Sequence, residues 1–134
     1  KKILENNIKN IRIFPDDVNL LFPFIKDETF SRIFVLYPDP WPKNRNENRR
    51  MINKTNLTLF HKFLTKGGNL FVASDHPIYI PWVLFCMKDS NLFEWLATKS
   101  SDFVNPPNDW ETTKYEQKAL KELRKPIYLS FVKK

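Results

Sequence analysis

The feature that most constrains this chain is a strand that cannot continue. Ile33, Phe34, Val35, Leu36 and Tyr37 form an unbroken run of β-favouring apolar residues, the pattern of a strand covered on both faces of a parallel sheet. Pro38, Pro40 and Pro42 follow at once, around Asp39 and Trp41. Each proline fixes φ and lacks an N–H, so the turn is stiff and cannot extend the sheet. A carboxylate and an indole are thus held at the C-terminal end of a strand, which in an open α/β sheet is where ligands bind. Trp41 reads equally as a cover for the core edge or as a stacking partner for a base. Directly afterwards Lys43, Arg45, Arg49 and Arg50 are interleaved with Asn44, Asn46, Glu47 and Asn48, a cationic, amide-rich segment matched to phosphates and base edges.

Strand and helix patterns alternate around this stretch, an α/β signature. Residues 1–7, with Ile3, Leu4 and Ile8 on one face, read as the end of a helix. Residues 11–14 read as a short strand closed by Pro15, with Asp16 and Asp17 at its end. Taken alone, Asp17 is a turn or capping acid before a short helical stretch interrupted by Pro23. Asn53 is placed to cap a helix over residues 54–65, whose stripe is Leu57, Phe60, Phe63 and Leu64, with Gly67 and Gly68 as its stop. Residues 69–73 form the next strand and end in Ser74, Asp75 and His76, where Asp75 alone would be an ordinary cap. A helix over residues 77–87, a strand over 93–98, a loop over 100–109 and a helix over 117–123 follow. The last strand, residues 127–132, is expected to be antiparallel.

Composition narrows the function classes. The net charge of +7 favours polyanionic partners without proving one. The single cysteine, Cys86, cannot form an internal disulfide, so a reducing cytoplasmic location is the default. His61 and His76 have no partner at ligand spacing, which argues against a metal site. The contiguous Ser74, Asp75 and His76 are not arranged as a nucleophile triad. No apolar run is long enough to span a bilayer. With only Gly67 and Gly68 in the whole sequence, there is no glycine-rich phosphate loop.

Tyr-Pro-Asp-Pro-Trp-Pro-Lys at Tyr37 to Lys43, the Arg49-Arg50 pair, the strand ending at Asp75 and Thr-Lys-Tyr-Glu at Thr113 to Glu116 together resemble the tRNA (guanine-N7)-methyltransferase family. The resemblance implies a partial Rossmann-like, S-adenosylmethionine-dependent sheet closed by an antiparallel strand, acting on a guanine of the tRNA variable loop. It implies that Asp39 is the catalytic acid and also lies by the cofactor, with Asp17 a second cofactor contact. Lys43, Asp75, Thr113, Lys114, Tyr115 and Glu116 fall on substrate positions. Arg45, Asn46, Glu47, Asn48, Arg49 and Arg50 fall on the RNA-contacting segment. The family's glycine-rich first strand and turn and its second strand have no counterpart here; in the family sheet they lie between the strands matching residues 11–14 and 33–37. The chain is therefore expected to be a single, N-terminally incomplete domain that needs its missing half or a partner chain.

The implied chemistry is consistent with those residue types. Guanine N7 carries an in-plane lone pair and needs no proton removed, so catalysis is mainly positioning. An acid serves by accepting from N1–H and the amino group, and by stabilising the positive charge that appears on the ring. Two other readings stay open: a non-catalytic RNA-binding remnant that kept the basic arm, and an amino-group nucleic-acid methyltransferase.

Overall fold

The computed structural model describes residues 5–134. Most of the helical end expected over residues 1–7 lies outside them. A four-stranded mixed sheet in the order β1-β2-β4-β3 forms the frame, with β1 Phe30–Leu36, β2 Leu64–Ser74, β3 Phe93–Trp95 and β4 Ile127–Lys133. β1 and β2 are parallel, Val35 opposite Val72. Parallel neighbours need a crossover, and α1, Lys54–Phe63, lies within it. β4 runs antiparallel to both β2 and β3, as the sequence leads one to expect. Three further helices, α2 Tyr79–Ser90, α3 Ser101–Val104 and α4 Lys114–Lys121, complete the frame with the 3-10 turns Val18–Leu20, Phe22–Phe24 and Asn44–Arg49.

The core follows the predicted stripes. Leu57, Phe60 and Phe63 of α1 and Val83, Cys86 and Met87 of α2 cluster with Leu70, Val72, Leu129 and Phe131 of the sheet. Full burial of side chains this size contributes about 1.5–3 kcal/mol each, and α1 and α2 share that contribution with the central strands β2 and β4.

Several expectations are corrected, among them the loop over residues 100–109, which carries α3. Residues 11–14 belong to no strand, and Ile11, Ile13 and Phe14 are exposed, because no neighbouring strand among the described residues gives them a ladder. β1 is an edge strand rather than one covered on both faces: Val35 is buried, but Phe34 is 48% and Leu36 38% exposed. Phe34 finds partial cover by stacking on Phe71 at 4.8 Å. The helix over 54–65 stops at Phe63, and Gly67 and Gly68 lie inside β2 instead of capping it. Leu64 is fully buried as the first strand residue, so burial is served better by turning into the sheet than by another helical turn. Gly68 is needed there for room, since a Cβ would lie 2.9 Å from the Thr65 carbonyl oxygen and 3.1 Å from that of Ser31.

Candidate functional site

The C-terminal ends of β1 and β2 and the start of β4 meet at one end of the sheet. Tyr37 N–H donates to Ala73 O at 2.8 Å, and Ala73 is in register with Tyr128. Beyond Tyr37 the chain makes the proline turn. Three prolines leave it few N–H groups, so its unmet backbone need is on the carbonyl side. Arg50 meets that need: Nε donates to Pro40 O at 3.1 Å and Trp41 O at 3.2 Å, and Nη2 to Trp41 O at 3.0 Å. The guanidinium is 2% exposed and lies 4.5 Å from the centre of the Trp82 ring. Trp82 Nε1 donates to Ile52 O at 2.6 Å, and the Tyr79 hydroxyl accepts from Ile52 N–H at 3.2 Å. Tyr37 and Trp41, on either side of Asp39, have φ of 50° and 42°. Such left-handed backbone costs a side-chain-bearing residue about 1–2 kcal/mol, so this is a strained turn held in place.

Asp39 itself is exposed, and its side chain makes no hydrogen bond or ion pair with the described residues. Lys43 and Arg45 are likewise exposed and free of carboxylates, and Arg49 lies over the Trp41 ring at 4.9 Å. Asn48 is exposed, while Asn46 and Glu47 are half-buried. Arg50 is the exception within the expected RNA-contacting segment. Turned inward, with Nε and Nη2 on carbonyls and the guanidinium over an indole, it presents little surface to RNA, and this corrects the reading from the resemblance.

Around the same sheet end a second polar group forms. Glu116 is 2% exposed; Oε1 accepts from the Tyr128 hydroxyl at 2.5 Å and Oε2 from Trp110 Nε1 at 2.8 Å. Thr113 Oγ1 accepts from Glu116 N–H at 3.1 Å and caps α4. Thr113 and Glu116 are thus engaged within the fold, whereas Lys114 and Tyr115 of the same motif are exposed. Asp75 faces Arg124 Nη1 at 2.5 Å in a close ionic contact that lacks hydrogen-bond alignment. The Tyr37 hydroxyl is buried without an aligned partner, and burial, with Glu116 and Asp75 nearby, raises its pKa. Burial and the Glu116 carboxyl raise that of Tyr128 in the same sense. Both phenols therefore stay protonated through the physiological range.

Asp17 lies apart from this group. Its Oδ1 caps the first 3-10 turn, accepting from Asn19 N–H at 2.9 Å and Asn19 Nδ2 at 2.7 Å, which is the capping role read from the sequence alone. Its neighbour Val18 and Asp39's neighbour Pro38 both line an apolar groove of about 370 Å³ along β1. Among the described residues no set of three His, Cys, Asp or Glu side chains is placed to hold a metal, and no helix is long and apolar enough to cross a membrane.

The residues the sequence reading missed are the supports: Tyr37, Trp82, Trp110, Arg124 and Tyr128. One signal was present. Thr113 with Glu116 is the spacing of a capping box, which announces a helix start; the Thr113 half of it is made, while the Glu116 carboxyl turns to Tyr128 and Trp110 instead.

Comparison with known proteins gives this geometry a setting. Residues 1–129 match a family model described as "Putative methyltransferase". A tRNA (guanine-N(7)-)-methyltransferase of Rhizobium johnstonii is 41% identical over 132 residues, covering 98% of this chain and 57% of the relative. A protein of the same name from Rhodospirillum rubrum is 44% identical over 130 residues, covering 97% and 51%. The chain spans about half the length of the curated relatives it matches. A crystal structure of a SAM dependent methyltransferase from Archaeoglobus fulgidus aligns with a TM-score of 0.53 at 6% identity, over 99% of this chain and 72% of that one, a likeness of fold alone.

Proposed function

As the chain belongs to the methyltransferase family that its residues 1–129 match, we propose that it forms part of an S-adenosylmethionine-dependent tRNA (guanine-N7)-methyltransferase. In this reading Asp39 is the acid that holds the base. The observation that carries it is a contrast within one turn: the backbone around Asp39 is tied down by Arg50, while the carboxylate itself is exposed and unpaired at the sheet end that Asp75 also borders. A free acid on a strained, braced turn fits a ligand-binding role better than a structural one.

The residues present suit the adenosine end of the cofactor. Val18 and Pro38, the chain neighbours of Asp17 and Asp39, line the apolar groove along β1, and in this reading the two carboxylates accept from ribose hydroxyls or an adenine amino group. Both glycines of the sequence lie in β2, so a glycine-rich turn for the methionine end comes from outside these residues. When bound, the cofactor supplies an electrophilic methyl group on a sulfonium.

The chain's own residues do the positioning. Asp39 accepts from N1–H and the amino group of guanine, since a carboxylate aimed at N7 would repel its lone pair. Its charge stabilises the cation that forms on the ring. Lys43, Arg45 and Arg49 take phosphates of the tRNA, and exposed Tyr115 offers a stacking face beside Lys114. The free edge of β1, with exposed Phe34 and Leu36, supports pairing with a further strand from a longer form of the protein or a second chain. The cytoplasm, where tRNA is matured, is the compartment this reading assigns.

Transfer of labelled methyl to tRNA by the longest natural form of the protein, followed by identification of the modified base after nuclease digestion, tests this. Incorporation at guanine N7 that is lost in Asp39→Ala supports it. Incorporation undiminished by that substitution, or found on an exocyclic amine, overturns it.

A further inference from the structure

We infer that Arg50 is a positioning residue, a buried strap that aims Asp39 by gripping the carbonyls on its far side, with Trp82 as its platform. The observations converge on one point. The turn between Tyr37 and Lys43 contains two left-handed non-glycine residues, and such backbone persists only where its surroundings over-determine it. Trp41 is one of them, and its carbonyl takes two of the three hydrogen bonds Arg50 makes to this turn. The third goes to Pro40, the residue directly after Asp39. A planar guanidinium spans two carbonyls in fixed geometry, whereas an ammonium acts as a point charge. The strap is anchored in turn. Arg50 lies on the Trp82 ring, Trp82 is bonded to the Ile52 carbonyl, and Asn53 Nδ2 donates to Arg50 O at 2.9 Å, joining the strap to the start of α1. At 2% exposure Arg50 offers little surface to a phosphate, so the adjacent arginines divide the work, Arg49 outward and Arg50 inward.

This inference rests on the proposed methyl-transfer reading for its kinetic consequence but not for its structural one, and the experiment keeps the two apart. Arg50→Lys keeps the charge and loses the span. In the longest natural form of the protein it is expected to lower kcat about 100-fold, the order of effect a small misplacement produces. KM for tRNA should change less than about twofold and the salt dependence of tRNA binding should be unchanged. Arg49→Ala should instead raise KM and make the slope of log K against log salt shallower by about one. Hydrogen exchange on the same variants gives the structural reading. Arg50→Lys should speed exchange of the Tyr37 and Arg50 amides, which are bonded to Ala73 O and Glu47 O at the two ends of the turn, while α1 and β2 keep their protection. Should Arg50→Lys not fold, Trp82→Phe, which keeps a ring but loses the bond to Ile52, is expected to give a smaller loss of kcat, about tenfold, in the same pattern. Wild-type protein that methylates nothing refutes the proposed function and leaves exchange to decide the strap. Unchanged kcat with unchanged exchange in Arg50→Lys, or a salt slope that falls as in Arg49→Ala, overturns the strap.

Discussion

Two turns near the same sheet end are built on opposite charges. The proline turn rests on Arg50 and the Thr113–Glu116 segment on Glu116, each 2% exposed. Each anchor is also bonded to the cap of the helix beside it, Arg50 O to Asn53 at the start of α1 and Glu116 N–H to Thr113 at the start of α4. The sign of each anchor follows from what its turn lacks. Prolines strip the first turn of donors, leaving carbonyls that call for a cation rich in N–H groups. The second brings two side-chain donors, the Tyr128 hydroxyl and the Trp110 indole, to one place, and a carboxyl has two oxygens to accept from them. A buried charge here is thus the complement of its turn's backbone and ring chemistry. In both cases the residue left exposed on top, Asp39 in one and Tyr115 in the other, is free because its neighbour is not.

The comparison breaks most easily at Glu116. Glu116→Ala leaves a hydroxyl and an indole N–H buried without partners, and losing one side of such a network costs about 3–5 kcal/mol. Glu116→Gln, which keeps the shape and one acceptor, should cost about 1–3 kcal/mol. Denaturant midpoints at unchanged slope measure both. A loss below about 1 kcal/mol for the alanine variant would mean that Glu116 is not an anchor and that its motif is free to serve substrate.

These anchors explain what could be read from the sequence and what could not. The strands over residues 33–37, 69–73 and 127–132, the helices over 54–65 and 77–87, the antiparallel last strand and the Asn53 cap were legible because each rests on local periodicity or a nearby partner. The place of Asp39 at the end of its strand was legible too, since the prolines around it stop the sheet there. Arg50 was misread because inward and outward arginines share a composition, and only the position of Trp82, far along the chain, decides between them. The cover on β1 was misread because an apolar run specifies that a strand prefers burial, not which neighbour provides it. The Gly67-Gly68 pair was misread for a related reason: a helix stop and a close strand approach both select glycine, and the distance from Gly68 to the Ser31 carbonyl is a tertiary fact.

The two anchors should also be separable by titration, with opposite signs. Burial is the first cause raising the pKa of Tyr37, Tyr128 and Tyr79. Next to burial, Glu116 raises those of Tyr37 and Tyr128, whereas the bond from Ile52 N–H lowers that of Tyr79 and Arg50, a lesser cause, lowers it further. Groups whose folded pKa lies above the unfolded value contribute stability that is complete below about pH 10 and is lost as pH rises toward the folded value. Alkaline unfolding is therefore expected above about pH 10, and tyrosinate absorbance should rise with it. Glu116→Gln should bring ionisation of Tyr37 and Tyr128 to lower pH, and Arg50→Met should push that of Tyr79 higher. Shifts of the same sign in both variants would show that burial alone sets these phenols.

The finest test compares the two caps. Asn53 accepts from Asn56 N–H at 2.9 Å and also donates to Arg50 O, while Thr113 makes its one cap bond to Glu116 N–H. Losing a cap costs about 0.5–2 kcal/mol. Asn53→Ala, which also frees the carbonyl of the strap, should fall toward 2 kcal/mol and Thr113→Ala toward 0.5 kcal/mol on that scale. The more telling quantity is the coupling. If Asn53 acts partly through Arg50, a double-mutant cycle with Arg50→Lys should return an interaction energy of about 0.5 kcal/mol or more. Thr113 and Arg50, which share no partner, should be additive within about 0.3–0.5 kcal/mol. Additivity in both cycles would mean that the cap and the strap are neighbours without being one device.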